Sequence, residues 1–272
     1  MAARKHNAIG WPQKLATKSL RLRKWVSWHL LSRQQTPSKV LLIVGCQRSG
    51  TSLLNRILEQ DLRTTVLSEE NPLTGTAESR LRLKPYDEVN CALAKFRTPL
   101  IVMKPLVESQ HTAEMLDAIP GAKALWVFRN YSDVVNSDVN RFTSQIKNLK
   151  AAVDDERGNW RSERMSAATR AILAKHFDTG MSRHAAAALM WYARNVLFFE
   201  LGLDSNPNVR LCRYEDLIAG PRATMGEIYD FLAMDYPDRD LVREVHAHSF
   251  GLGRDIALPD EIGVLCDGLQ CR

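Results

Sequence analysis

The chain has 272 residues, 45% hydrophobic and 25% charged, with 14 Gly and 11 Pro. This excludes collagen-like, coiled-coil and disordered chains and leaves ample length for a buried core. The formal charge of +6 is unevenly placed: residues 1–58 hold 11 Lys/Arg and no acid before Glu59, so the remainder carries −5.

The basic segment 1–38 suits an anionic ligand, a nucleic acid or a membrane surface, and has the acid-poor composition of an organelle transit peptide. Arg4 and Lys5 are not followed by an apolar stretch, so it does not read as a secretory signal. No run approaches the roughly 20 apolar residues of a membrane span. Residues 12–33 read as a helix with Pro12 near its first turn. Leu15, Leu22, Val26 and Leu30 share one stripe, but Leu20, Trp28 and Leu31 fall elsewhere, which favours a helix packed on the domain over a membrane-bound one.

Pro37-Ser38 ends that helix, and 39–44 reads as a buried strand, with a loop over 45–52 and a helix from Leu53. Further strands fall at 99–103, 124–128 and 208–212, separated by helices at 108–118, 131–147 and 182–203. The alternation predicts an α/β fold, a central parallel sheet with helices on both faces, in one domain over 39–272 after the segment 1–38. Cysteines 46, 91, 212, 266 and 271 form no C-x-x-C pair, which argues against a disulfide framework or zinc site and for a reducing, cytoplasmic setting.

The loop Gly45-Cys46-Gln47-Arg48-Ser49-Gly50-Thr51-Ser52 lies between strand and helix. Successive N–H groups and the helix N-terminus there make an anion site, and the Thr51 and Ser52 hydroxyls can donate to phosphate oxygens. The loop is P-loop-like, but the Walker lysine is missing: Thr51 follows Gly50, and the cation is Arg48 instead. A second signal is Arg129 at the carboxyl end of a strand, with Ser137 on the next helix. A planar fork and a neutral donor so placed can converge on one phosphate.

Arg-Ser-Gly-Thr-Ser at 48–52, with Arg129 and Ser137 in the right order behind it, resembles the sulfotransferases that use PAPS, in particular their bacterial and tyrosylprotein branch. The resemblance runs from about residue 39 to 265. It implies that Gln47 to Ser52 grip the 5′-phosphosulfate and that Arg129 and Ser137 hold the 3′-phosphate. It also implies that Tyr214, in Arg213-Tyr214-Glu215-Asp216-Leu217, lies against the adenine, with Glu215 and Asp216 structural. Lys104, in Val102-Met103-Lys104-Pro105, matches the family's strand-terminal lysine, and Gly251-Leu252-Gly253-Arg254 echoes a loop that closes over the nucleotide. No metal is implied.

In-line sulfuryl transfer needs cations at the leaving phosphate, for which Arg48 and Lys104 are the candidates, and a base for the acceptor. The cytosolic members' histidine position holds Leu106 here. The other branch uses a glutamate after the loop helix and next strand, where Ser68-Glu69-Glu70-Asn71-Pro72 stands, favouring Glu70 with Glu69 as the alternative and His111 as a third choice. The expectation is sulfuryl transfer from PAPS, releasing PAP, to a hydroxyl, with an amine second, of a small molecule or glycan. The alternatives are a degenerate P-loop kinase and a non-catalytic nucleotide- or nucleic-acid-binding protein. Neither a strand ending in an Mg²⁺-holding Asp nor sustained basic patches with aromatics supports them.

Overall fold

A computed structural model describes residues 23–24, 26, 37–75, 81–155, 159–243, 245 and 256–272. Five strands among them form one sheet: β1 (Lys39–Gly45), β2 (Thr64–Leu67), β3 (Leu100–Met103), β4 (Ala122–Phe128) and β5 (Val209–Arg213). All pairings are parallel, in the order β2-β3-β1-β4-β5. The chain leaves β1 toward β2 and β3 on one side and returns to β4 and β5 on the other. A crevice opens at such a switch point, beyond the carboxyl ends of the strands.

The period of two along β1 accounts for its unbroken apolar run. Leu41 and Ile43 pack with Leu54 and Leu58 of α1 (Thr51–Glu59) and Ile228 of α9 (Pro221–Phe231). Leu42 and Val44 pack on the opposite face, with Val89 of α2 (Tyr86–Leu93), Met115 of α3 (Thr112–Ala118) and Leu197 of α7 (Arg183–Glu200). Both sheet faces are therefore covered, as the sequence predicts. A further core around Trp191 joins α7 to α4 (Tyr131–Arg141), α5 (Gln145–Val153), α6 (Ala167–His176) and α10 (Asp260–Gln270). The short α8 (Tyr214–Ala219) follows β5 directly. No helix among the described residues is long and apolar enough to cross a membrane.

Three elements differ from expectation. β2 carries no aliphatic run to mark it, since only Val66 and Leu67 of its four residues are apolar. The helix expected over 131–147 is two, since Phe142 is extended (φ −125°, ψ 164°) and α5 restarts at Gln145. Arg183 of α7 causes this break: its Nη2 donates to the carbonyls of Val139 and Phe142, taking up acceptors that a continuing helix would use. At 108–118, residues Leu106–His111 are 3₁₀ and only Thr112–Ala118 are α-helical. Of the helix expected over 12–33, Arg23, Lys24 and Val26 are described and helical, and the rest lies outside the described residues. The Lys24 ammonium is buried, donates to the Thr64 carbonyl at 2.8 Å, and is lowered by that burial to about 8.

Asp61, 2% exposed between α1 and β2, anchors the end of the sheet opposite the crevice. Its carboxylate accepts the Arg63 backbone N–H (2.8 Å), the Arg63 guanidinium (2.9 Å) and the Tyr229 hydroxyl (2.7 Å). Burial alone would raise this carboxyl, but the Arg63 and Tyr229 hydrogen bonds outweigh it and hold it below the ordinary range. A depressed folded value contributes stability that is present above the unfolded value and lost as pH falls through the folded one. Asp61→Asn is therefore expected to lose about 1–3 kcal/mol in urea denaturation at neutral pH. The gap from wild type should narrow in acid, and a gap that acid leaves unchanged would sink this account.

Candidate active site

The loop after β1 is held at both ends. Gly45 (φ 123°) runs so close to β4 that a Cβ there would stand 2.6 Å from the Val127 carbonyl oxygen, and Ser109 Oγ accepts its N–H at 2.9 Å. Arg48 (φ 68°) and Gly50 (φ 99°) both take left-handed backbone, and such turns fold successive N–H groups toward one concave side. Gly50 starts α1 without a side-chain cap and with no acid in the first turn, so the first N–H groups face the loop. Ser49 is fully buried and Thr51 nearly so, whereas Ser52 is exposed.

A cavity of about 500 Å³ opens over this loop, a size suited to a nucleotide. Its cations are Arg48, Arg56, Lys104 and Arg129, and among the described residues lining it the only acid is Glu69. Lys104, one residue past β3 and 8% exposed, donates to Ser52 Oγ at 2.9 Å and lies 2.8 Å from Glu69 Oε1. Arg48 Nε and Nη2 donate to Ser137 Oγ at 3.0 and 2.9 Å, joining residues 89 positions apart. Burial, and next the Arg141 cation, lower the Arg48 guanidinium below its ordinary value.

Arg129 follows β4 at 4% exposure. Its guanidinium lies 3.1 Å from Asp133 and 4.2 Å above the Tyr214 ring, and its carbonyl accepts the Trp191 indole N–H at 3.0 Å. Tyr214 in turn packs against Gly50, where a Cβ would meet its ring at 2.3 Å. Glu215 Oε1 accepts the Asn130 N–H at 2.9 Å, a structural contact that ties β5 to the start of α4. A side lobe of about 310 Å³, whose lining also includes the acid Asp133, adds Asn136, Asn140 and Arg141 to Arg129 and Ser137. These three went unnoticed in the sequence, although positions 133, 136–137 and 140–141 repeat at helical spacing and so share one face of α4.

Gln47, Arg48, Gly50, Thr51, Ser52, Lys104, Arg129, Ser137 and Tyr214 thus line one cavity, and Ser49 sits beneath it. Glu70 departs from its expected place: it is exposed and does not line the cavity, whereas the adjacent Glu69 does. β2 ends beside β3, with the Lys104 N–H donating to the Leu67 carbonyl at 3.1 Å, so the first acid past β2 reaches the Lys104 ammonium. The chain bends there, and the second acid faces solvent. His111 is neither a surface histidine nor a cavity residue; it sits between Glu114 (2.5 Å) and Glu163 (3.1 Å). Arg254 and the segment 251–254 lie outside the described residues.

Residues 38–252 match the family model described as sulfotransferase domain, and the chain belongs to that family. No curated protein matches it by sequence. A sulfotransferase domain from the curacin biosynthetic pathway shares the fold at a TM-score of 0.51 and 14% identity, over 87% of this chain and 99% of that one. The sulfotransferase domain of the Synechococcus PCC 7002 olefin synthase superposes at 0.48, with 16% identity, 88% and 97%. A mouse sulfotransferase complexed with PAP gives 0.43, with 16% identity, 83% and 69%.

Proposed function

We propose that this member of the sulfotransferase family transfers a sulfuryl group from PAPS to a hydroxyl, with an amine as second choice, of a small-molecule or glycan acceptor. The observation that carries the reading is the junction of two distant motifs, Arg48 bonded to Ser137, in a cavity with four cations and one carboxylate. That imbalance suits a nucleotide phosphorylated at two positions. PAPS, when bound, supplies the sulfuryl group.

The residues divide the work by chemistry. The loop N–H groups, with Gln47, Ser49 and the Thr51 and Ser52 hydroxyls, hold the 5′ end. Arg129 and Ser137 hold the 3′-phosphate, with Arg141 of the side lobe adding charge. Tyr214, fixed between Gly50 and Arg129, borders the nucleoside. Arg48 and Lys104 stabilise the charge that grows on the leaving phosphate. Glu69 receives the acceptor's proton as the acceptor attacks, and its pairing with Lys104 holds it at the cavity.

Thermal denaturation with PAP and with ADP tests the donor assignment. A ligand that binds only the folded state stabilises it by about 2.7 kcal/mol at a hundred times its Kd. PAP should raise the melting temperature and ADP much less, because the 3′-phosphate is the group that Arg129 and Ser137 are assigned to hold. Equal shifts would favour the kinase alternative and remove Arg129 from its role.

A further inference from the structure

Next to the nucleotide cavity is a smaller one of about 60 Å³, and Gln47 lines both. Trp191 contributes to its apolar wall, while Asp138, Trp160, Arg161 and Arg194 supply charge and an aromatic face. The Trp160 ring lies 4.4 Å from the Arg161 guanidinium and 5.0 Å from that of Arg194. Arg194, projecting from α7, is 4% exposed. Both of its terminal nitrogens lie 3.2 Å from Gln110 Oε1, a neutral acceptor. No carboxylate among the described residues lies within 4.0 Å of either arginine. Burial lowers both guanidiniums, Arg194 to about 10, and a guanidinium keeps its charge in proteins.

The nearby acids are drawn on by other partners as well. Glu163 Oε2 is engaged by Arg82 (2.8 Å), Gln110 (2.8 Å) and His111 (3.1 Å). Asp138 lines the cavity and accepts from Gln145 Nε2 at 2.9 Å. In the cavity lining itself, two arginines face the single acid Asp138. A buried cation whose direct partner is a neutral amide is costly, and a bound anion offsets that cost. Cys46 also lines the cavity, but burial pushes its thiol up to about 12, which makes it a poor nucleophile.

We propose that this cavity is the acceptor's head-group subsite and that it takes a carboxylate, held by Arg161 and Arg194. The inference rests on the sulfotransferase reading and narrows its acceptor to a hydroxy acid. Two lining guanidiniums against one lining acid match a singly charged carboxylate better than a phosphate, and a guanidinium fork matches its planar geometry. The volume is well below the roughly 150 Å³ that admits a benzene ring, so a carboxylate enters and a sugar ring does not. Gln47 lines both cavities, so an acceptor anchored in the smaller one extends past it into the nucleotide cavity that Glu69 also lines.

The test uses the full chain loaded with PAP and a series of ω-hydroxy acids of increasing length, each beside its amide. Binding is followed by NMR at the Trp160 indole N–H. The acid should bind about 10–100-fold more tightly than its amide, as expected for charge-assisted hydrogen bonds. Arg161→Gln, at a half-buried position, should erase that preference while PAP affinity is retained. Arg194→Lys, which keeps the charge in the core, should weaken it. Equal binding of acid and amide to the wild type, or a preference that survives in Arg161→Gln, would overturn the proposal. Failure to bind PAP would instead overturn the reading on which it rests.

Discussion

Glu69→Gln is expected to lower kcat by about 10²–10⁴-fold, because a general base acts on the acceptor proton only in the transition state. PAP affinity should change by no more than a few fold, since the substitution leaves Arg48, Arg129 and Ser137 in place. Glu69 is placed for this role by its reach into the cavity and its 2.8 Å contact with Lys104. The same contact offers a rival account, in which Glu69 merely positions the lysine. The pH profile separates the two: removing a base abolishes the acidic limb of kcat/KM, whereas misplacing Lys104 lowers the whole curve. Glu70→Gln is the comparison, because Glu70 is exposed and should turn over like wild type. The opposite ranking of the two variants would return the role to Glu70 and remove Glu69 from the chemistry.

Gly50→Ala should reduce PAP affinity by about 10²-fold and lower the melting temperature, since backbone strain of order 1–3 kcal/mol adds to a steric clash. The new Cβ would stand 2.3 Å from Tyr214 Cδ2 and 2.8 Å from Cε2, on a backbone at φ 99°. Tyr214 cannot yield cheaply: it is 4% exposed, with the Arg129 guanidinium over its ring. The substitution therefore disturbs the loop, Tyr214 and Arg129 together. Gly121→Ala isolates the strain, because Gly121 has φ 68° but nothing within 4 Å of an added Cβ. It should cost about 1 kcal/mol of stability and leave PAP binding alone. Wild-type PAP affinity in Gly50→Ala would show that the Gly50–Tyr214 contact does not shape the nucleotide site.

The α/β alternation, the strands at β1, β3, β4 and β5, and the loop from Gly45 to Ser52 follow from the amino-acid order alone. Those features are local: a run of apolar residues buries both faces of a strand wherever that strand lies, and the loop's glycines and hydroxyls stand side by side in the chain. Arg129, at the carboxyl end of β4, and Ser137, on the helix behind it, were also legible, whereas Tyr214 came from the family resemblance. Tertiary structure decided the rest. Whether Glu69 or Glu70 faces the cavity depends on where β2 stops against β3, and two adjacent acids in a bend look alike in sequence. The break at Phe142 depends on Arg183, some forty residues later, capturing carbonyls that local propensity assigns to a continuing helix. The second cavity depends on Trp160 and Arg161 meeting Arg194 of α7. The charge imbalance of its lining carries weight only where burial removes water from groups that the sequence presents as ordinary surface arginines.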